Sequence, residues 1–317
     1  WPTVVRWNER ILVSSSGELF ESKPRAPGVA TVFEPVKNLP PGGAWAMAVR
    51  GPDLLLGNNT GVYAVEANGT YRQVLRGDVA RLAILAPDLC LALGETEIAV
   101  LRHTAAGWSE CAPRVAGVGF PTVVRTAKHS AWIELGSRRV ARVALQNGAL
   151  DVKVFDDFPW ENARWINIGL VDDTIVLSGP AGSRAFFDEG TQTFVEAPEL
   201  RQLLARSPYW IARIEKDEAG TLWATHNEGV VTFTPRDGDY DVDASTFDLV
   251  NARYPAVQVL AGNDVWFSTG RSLYHVEPRP GGRIPPPGPP ALVSITDGRA
   301  GAELLPLAAG RPALQLS

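Results

Sequence analysis

Short apolar runs separated by polar breaks of Gly, Asn, Asp and Ser recur along almost the whole chain, and the runs are rich in Val, Ile, Phe and Trp. That pattern predicts strands joined by tight turns. The clearest unit is Gly220-Thr221-Leu222-Trp223-Ala224-Thr225-His226-Asn227-Glu228-Gly229-Val230-Val231-Thr232-Phe233-Thr234-Pro235, a strand, a polar turn, a second strand and a breaker. The pattern returns at Asp264 to Thr269 with Ser272 to Pro278, and at Leu54 to Thr60 with Gly61 to Val65. Weaker copies stand at Arg10 to Phe20, Leu89 to Leu101, Ala131 to Val143 and Ile175 to Phe187.

One equivalent position in each unit (Leu12, Leu55, Cys90, Trp132, Val176, Trp223 and Trp266) gives steps of 43, 35, 42, 44, 47 and 43 residues. A period of about forty is that of a four-stranded propeller blade. An apolar strand precedes each unit, as at Ala44 to Val49 and Trp210 to Ile214, and a more polar one follows most of them, as at Tyr71 to Leu75 and Val152 to Phe155. The expected fold is therefore all-β, a seven-bladed β-propeller over residues 1–279. An α-solenoid would need apolar spacings of three and four over longer runs, and only Pro198 to Leu204, between the fifth and sixth units, reads as a turn of helix.

A Pro/Gly linker is expected over residues 280–290, and three short strands over residues 291–317 read as the truncated start of a second β domain, too short for a core of its own. This division leaves the seventh blade without a fourth strand. An open strand edge invites aggregation, so closure is expected either from chain outside this stretch or from a strand of the tail.

The segment Gly220-Thr221-Leu222-Trp223-Ala224-Thr225 with Gly229-Val230, preceded by Ile214-Glu215-Lys216-Asp217-Glu218-Ala219, resembles the repeat of a known family. The family is the periplasmic sensor regions of bacterial two-component regulators, often hybrid histidine kinases, built from regulator-propeller repeats followed by a three-Y domain. Pro289-Pro290-Ala291-Leu292-Val293-Ser294-Ile295, leading to Leu304-Leu305-Pro306-Leu307, is similar to the entry of the three-Y domain. The second, sixth and seventh units match the repeat well, and the other four are degenerate. The resemblance implies a periplasmic location, detection of glycans or their breakdown products, and signalling as a homodimer in the full-length protein. Membrane contact would come only through segments outside this chain, which starts at Trp1 instead of Met and reads as a piece of something longer.

Composition narrows the remaining classes. A net charge of −5 argues against nucleic acid as a partner, because backbone-driven binding needs a basic stripe. With 45% hydrophobic residues and ten Trp a large core is available, yet no apolar run is long enough to span a membrane. The two cysteines, Cys90 and Cys111, are expected as free, mostly buried thiols. The histidines His103, His129, His226 and His275 lie on different units with no metal-ligand spacing, and no Ser/His/Asp or Cys/His arrangement stands out. No catalytic residue, metal or cofactor is expected, and the chain reads as a non-enzyme. The alternating acids Asp237, Asp239, Asp241 and Asp243 suggest a calcium loop, but Val242 occupies the place of its essential Gly, and an acidic outer strand is the expected reading. The sequons at Asn58 and Asn68 are read as plain turns.

In a propeller the connections entering each innermost strand and the turns between second and third strands converge on one face. At those places stand Trp45, Arg81, Trp165, Trp210, Arg213 and Tyr254, and Asn58, Asn59, Arg138, Arg139, His226, Asn227 and Arg271. Aromatic rings with Asn and Arg donors suit a glycan, an acidic sugar or another small polar ligand. Two other classes stay open: a polysaccharide lyase or glycosidase, which would need carboxylate, Tyr or His groups at the channel mouth, and a protein-interaction scaffold, which would show a large exposed apolar patch.

Overall fold

The computed structural model of the chain describes residues 2–23, 32–66, 68–136, 138–160, 165–245, 247, 255–260, 264–268, 272–276 and 292–294. Antiparallel meanders follow one another along it. The first is β1 (Thr3–Trp7), β2 (Arg10–Ser15), β3 (Glu18–Ser22) and β4 (Phe33–Pro35), and the second β5 (Ala46–Arg50), β6 (Asp53–Asn58), β7 (Gly61–Val65) and β8 (Tyr71–Arg76). The third is β9 (Arg81–Ala86), β10 (Leu89–Leu93), β11 (Glu97–Thr104) and β12 (Gly107–Glu110), with the short β13 (Val115–Ala116) added beside β11. The fourth is β14 (Val123–Ala127), β15 (Ser130–Leu135), β16 (Arg139–Gln146) and β17 (Ala149–Phe155), and the fifth β18 (Asn167–Val171), β19 (Thr174–Ser178), β20 (Arg184–Asp188) and β21 (Thr193–Glu196). Helix α1 (Pro198–Leu204), where the sequence predicts it, leads to β22 (Ile211–Lys216), β23 (Leu222–His226), β24 (Val230–Arg236) and β25 (Asp239–Asp243). Last come β26 (Ala256–Leu260), β27 (Asp264–Ser268), β28 (Ser272–Val276) and β29 (Leu292–Ser294).

The innermost strands touch in the order β1, β5, β9, β14, β18, β22, β26 and back to β1, which is a propeller arrangement around a central channel. Hydrogen bonding gathers the described strands into five separate sheets of blade size and one sheet of eight strands. The expectation of seven separate blades is corrected accordingly: the fifth and sixth meanders are joined by a parallel contact of β18 with β22 at Leu170 and Glu215. Gly169 is the physical reason, since a Cβ there would lie 2.4 Å from the carbonyl oxygen of Ile214. Gly169→Ala is therefore expected to force the two strands apart and cost about 1–3 kcal/mol, read by urea unfolding.

Both faces of each sheet are covered by its neighbours, so middle strands such as β15 and β23 are buried at every position. This is why they read as continuous apolar runs instead of alternating ones. The largest aromatic cluster joins the fourth and fifth meanders, where the Trp132 ring lies 4.5 Å from Phe187 and 5.7 Å from Phe155. Outer strands are polar. The acidic run falls on β25, where Asp239 accepts from Arg206 at 2.7 Å and Asp241 from Arg236 at 2.9 Å.

The seam between β1 and β26 is held by side chains. Gln258 accepts from the Val4 amide and donates to the Pro2 carbonyl, both at 2.8 Å, and Arg6 reaches across to the buried Asp264. The last meander takes its fourth strand from the tail, because β29 pairs with β28. Those residues, 292–294, belong to the segment expected to open a following domain. The rest of 291–317 and the Pro/Gly linker, 280–290, lie outside the described residues, as do Tyr254 and Arg271. No helix among the described residues is long and apolar enough to cross a membrane.

Cys90 is buried, and burial pushes its thiol up to about 12. Cys111 is exposed, a correction to the expectation of two mostly buried thiols. Thiolates, not thiols, alkylate. Iodoacetamide on the folded protein is expected to label Cys111 and spare Cys90, checked by peptide mass mapping.

Candidate functional site

A cavity of about 210 Å3 opens at the end of the channel where the innermost strands begin. Its wall is formed by the first residues of β1, β5, β9, β14 and β26, with Arg213 from β22, and the charged lining residues among those described are Arg81, Arg125 and Arg213. Strand starts supply it because every innermost strand enters the ring in the same sense, so the opening positions of the strands gather on one end.

Two of the three arginines have carboxylate partners. Arg125 donates through Nε to Glu215, and Arg213 donates through Nη2 to both oxygens of Glu134, at 3.0 and 3.3 Å. Glu134 also accepts from the Thr122 hydroxyl and the Ile168 amide, both at 3.2 Å, so one buried carboxylate ties the fourth, fifth and sixth meanders together. Burial pushes the Glu215 carboxyl up, against the pull of Arg125 and Arg213. Arg81 differs. It donates to the carbonyls of Ala80 at 2.8 Å and Thr122 at 3.1 Å and pairs with no carboxylate among the described residues; burial pulls its pKa down. The Nε of Arg213 is buried with no hydrogen-bond partner among the described residues.

Aromatic side chains precede the same strand ends. Trp45, just before β5, is 43% exposed, and Phe120, before β14, is 52% exposed. Trp165 and Trp210, before β18 and β22, pack edge to face with centroids 4.4 Å apart. The structure thus brings Arg81 and Arg213 to the cavity and sets Trp45, Trp165 and Trp210 at the same end. Arg138 and Asn59 are exposed on turns of that end and Arg139 at the start of β16, and Asn227, partly exposed, donates to Glu228 at 3.4 Å.

Two candidates are corrected. Asn58 is fully buried: Nδ2 donates to the carbonyls of Pro41 and Gly43, and Oδ1 accepts from the Thr60 and Gly61 amides. That exhausts an amide side chain, so Asn58 fastens its turn and has nothing left for a ligand. His226 is 3% exposed, stacked on Tyr209 at 4.0 Å, and accepts from the Glu228 amide through Nδ1. It closes a turn as well.

The sequence reading missed Arg125, Gln258, Phe120 and the carboxylates Glu134 and Glu215. A signal existed for Arg125 and Glu134: each interrupts an otherwise apolar strand, and a charge placed there must find a partner when the strand is buried. Among the described residues no group of three or more His, Cys, Asp or Glu is arranged to hold a metal ion.

No protein-family model matches the sequence, and no curated protein matches it. Solved structures do. The extracellular domain of BT4673 from B. thetaiotaomicron, described as a one-component or hybrid two-component system, is 13% identical with a TM-score of 0.57 over 86% of this chain. This chain spans 37% of that domain's length. YCF48 bound to D1 peptide is 10% identical with a TM-score of 0.62, over 88% of this chain and 96% of its own. U3-55K is 13% identical with a TM-score of 0.54, over 84% and 87%. Likeness at this level of identity shows the fold alone, and the fold that the chain shares with these proteins is the β-propeller.

Proposed function

We propose that the chain is the extracytoplasmic, ligand-sensing propeller of a two-component signalling regulator of the hybrid kind, with a glycan or similar polar ligand. The observation that carries this reading is the arginine-walled cavity at the channel end, with exposed and half-exposed aromatic residues just before the same strand starts, in a fold like that of an extracellular sensor domain. The propeller counts seven blades when the eight-stranded sheet is divided at the β18–β22 contact, a count supported by the cyclic order of the innermost strands. In the full-length protein a three-Y domain follows in the periplasm, and a homodimer transmits the signal. Ligand acts by binding one dimer arrangement more tightly than another, since only differential affinity shifts such an equilibrium. No catalytic role is assigned, and the carboxylates behind the cavity, Glu134 and Glu215, are both engaged by arginine.

The test is the melting temperature of the chain against a panel of neutral and acidic oligosaccharides and of unrelated peptides. A ligand that binds only the folded state at a hundred times its Kd adds about 2.7 kcal/mol of stability. A saturable rise with one oligosaccharide class is the expected result. A second reading, a peptide-binding scaffold, is favoured by the exposure of Trp45 and Phe120 and by the fold likeness to YCF48 with its bound peptide. A rise with peptides only supports that reading, and cleavage of a panel oligosaccharide makes the chain an enzyme.

A further inference from the structure

We propose that the cavity at the end of the central channel binds a small carboxylic acid, one sugar ring or less in size, with the Arg81 guanidinium as its charge partner. The inference rests on the reading of this chain as a ligand-binding propeller and specifies what its innermost site takes.

Charge balance carries the argument. Among the described residues three guanidinium groups line the cavity and two carboxylates stand behind them, Glu215 in an ion pair with Arg125 and Glu134 with Arg213. The third, on Arg81, lies in the same wall and, among the described residues, meets only the backbone carbonyls of Ala80 and Thr122. Holding a half-buried cation without a counter-charge is costly, and an anionic ligand would remove that cost.

Donor count points the same way. A guanidinium has five N–H donors in a planar fork that matches a carboxylate. Two of the Arg81 nitrogens hold the Ala80 and Thr122 carbonyls, which fix the group between β9 and the entry of β14 and leave donors over. Thr122 and Gln258 add polar atoms to the wall. Met47, Leu82, Val123 and Val257 supply apolar wall, which suits a small carbon skeleton better than a bare inorganic ion. A cavity of about 210 Å3 is below the usual range for drug-sized ligands, which sets the limit of one ring.

The experiment is calorimetric titration of the chain with D-glucuronate, D-glucose and inorganic phosphate at neutral pH and low salt, for the wild type, Arg81→Gln and Arg81→Lys. Glucuronate is expected to bind and glucose not. Arg81→Gln should weaken glucuronate binding at least about tenfold, and Arg81→Lys, which keeps the charge and loses the fork, should fall between. Melting temperatures and circular dichroism of the variants show whether they fold. A structural role for Arg81 would lower the melting temperature and leave the affinity of the folded fraction unchanged, which overturns the proposal. So does glucose binding as well as glucuronate, an outcome that leaves the sensor reading intact. Phosphate binding as tightly as glucuronate overturns the carboxylate assignment in favour of a general oxyanion site. Glucuronate binding through Arg81, with no oligosaccharide raising the melting temperature, sustains this inference and sinks the glycan-sensing reading.

Discussion

Asp264→Ala is expected to destabilise the chain by about 2–4 kcal/mol, because it removes the acceptor for three donors at the seam of the ring. Asp264 is 2% exposed; it takes hydrogen bonds from the Trp266 indole at 3.0 Å, from His275 Nε2 at 2.6 Å and from Arg6 of the first meander. Truncation leaves the buried Trp266 N–H unsatisfied and releases Arg6 from the last meander. Arg6 itself is half exposed, so Arg6→Ala should cost less than about 1 kcal/mol. Urea unfolding of the two variants separates the loss of a buried acceptor from the loss of an exposed charge. The same carboxyl also sets an acid limit. Burial works to raise its pKa, but the hydrogen bonds and charges of His275 and Arg6 overcome it and hold Asp264 below the ordinary carboxylate range. A depressed folded-state pKa gives stability that is present above the unfolded value, about 3.9, and is lost as pH falls through the folded one. Wild type is therefore expected to shed this contribution only below about pH 4, while Asp264→Asn lacks that part of the slope at every pH.

Glu134→Ala is expected to cost about 3–5 kcal/mol, the usual penalty for leaving a buried charge without its partner. Arg213 is only 16% exposed on its side chain, and the Ile168 amide and Thr122 hydroxyl lose their acceptor at the same time. Replacing both partners by apolar residues of similar volume, Glu134→Leu with Arg213→Met, should recover part of that loss, since the desolvation of both charges disappears with them. A double-mutant cycle by chemical denaturation reads the coupling. Additive losses would show that the pair contributes nothing as a pair.

Much of the fold was legible because a propeller writes its period into the chain. Trp132, Trp223 and Trp266 each sit on the second strand of a meander and are all but fully buried, which is why they mark the repeat so plainly. The joining of two meanders was not legible. It depends on Gly169, one of 30 glycines, and nothing local separates a glycine that permits a close strand approach from one that shapes a turn. The sequence left open whether outside chain or a strand of the tail closes the last sheet; residues 292–294 do so, although their proline-rich approach also reads as the entry of a following domain.

The candidate site was legible as a place and less so as residues. Entry positions such as Trp45, Arg81 and Arg213 gather at the channel end because the geometry of the ring demands it. Turn positions obey no such rule: Asn58 spends its amide on its own turn and on the Pro41 and Gly43 carbonyls before β5, and His226 accepts from the Glu228 amide of its own turn. Arg125 and Gln258 stand third in their strands, as Arg213 does, a depth at which side chains facing the channel alternate with those facing a neighbouring sheet, and nothing local marks which way each one faces.

The most direct test of a ligand site at the channel end is hydrogen exchange of the chain with and without a saturating disaccharide carrying one uronate. Slowed exchange confined to residues 3–4, 44–48, 79–83, 120–125, 165–168, 210–213 and 256–258 is the predicted result. Protection on the opposite end, around Arg50 and Asp53 or Asp264, on outer strands such as β8 and β17, or nowhere at all, would contradict it.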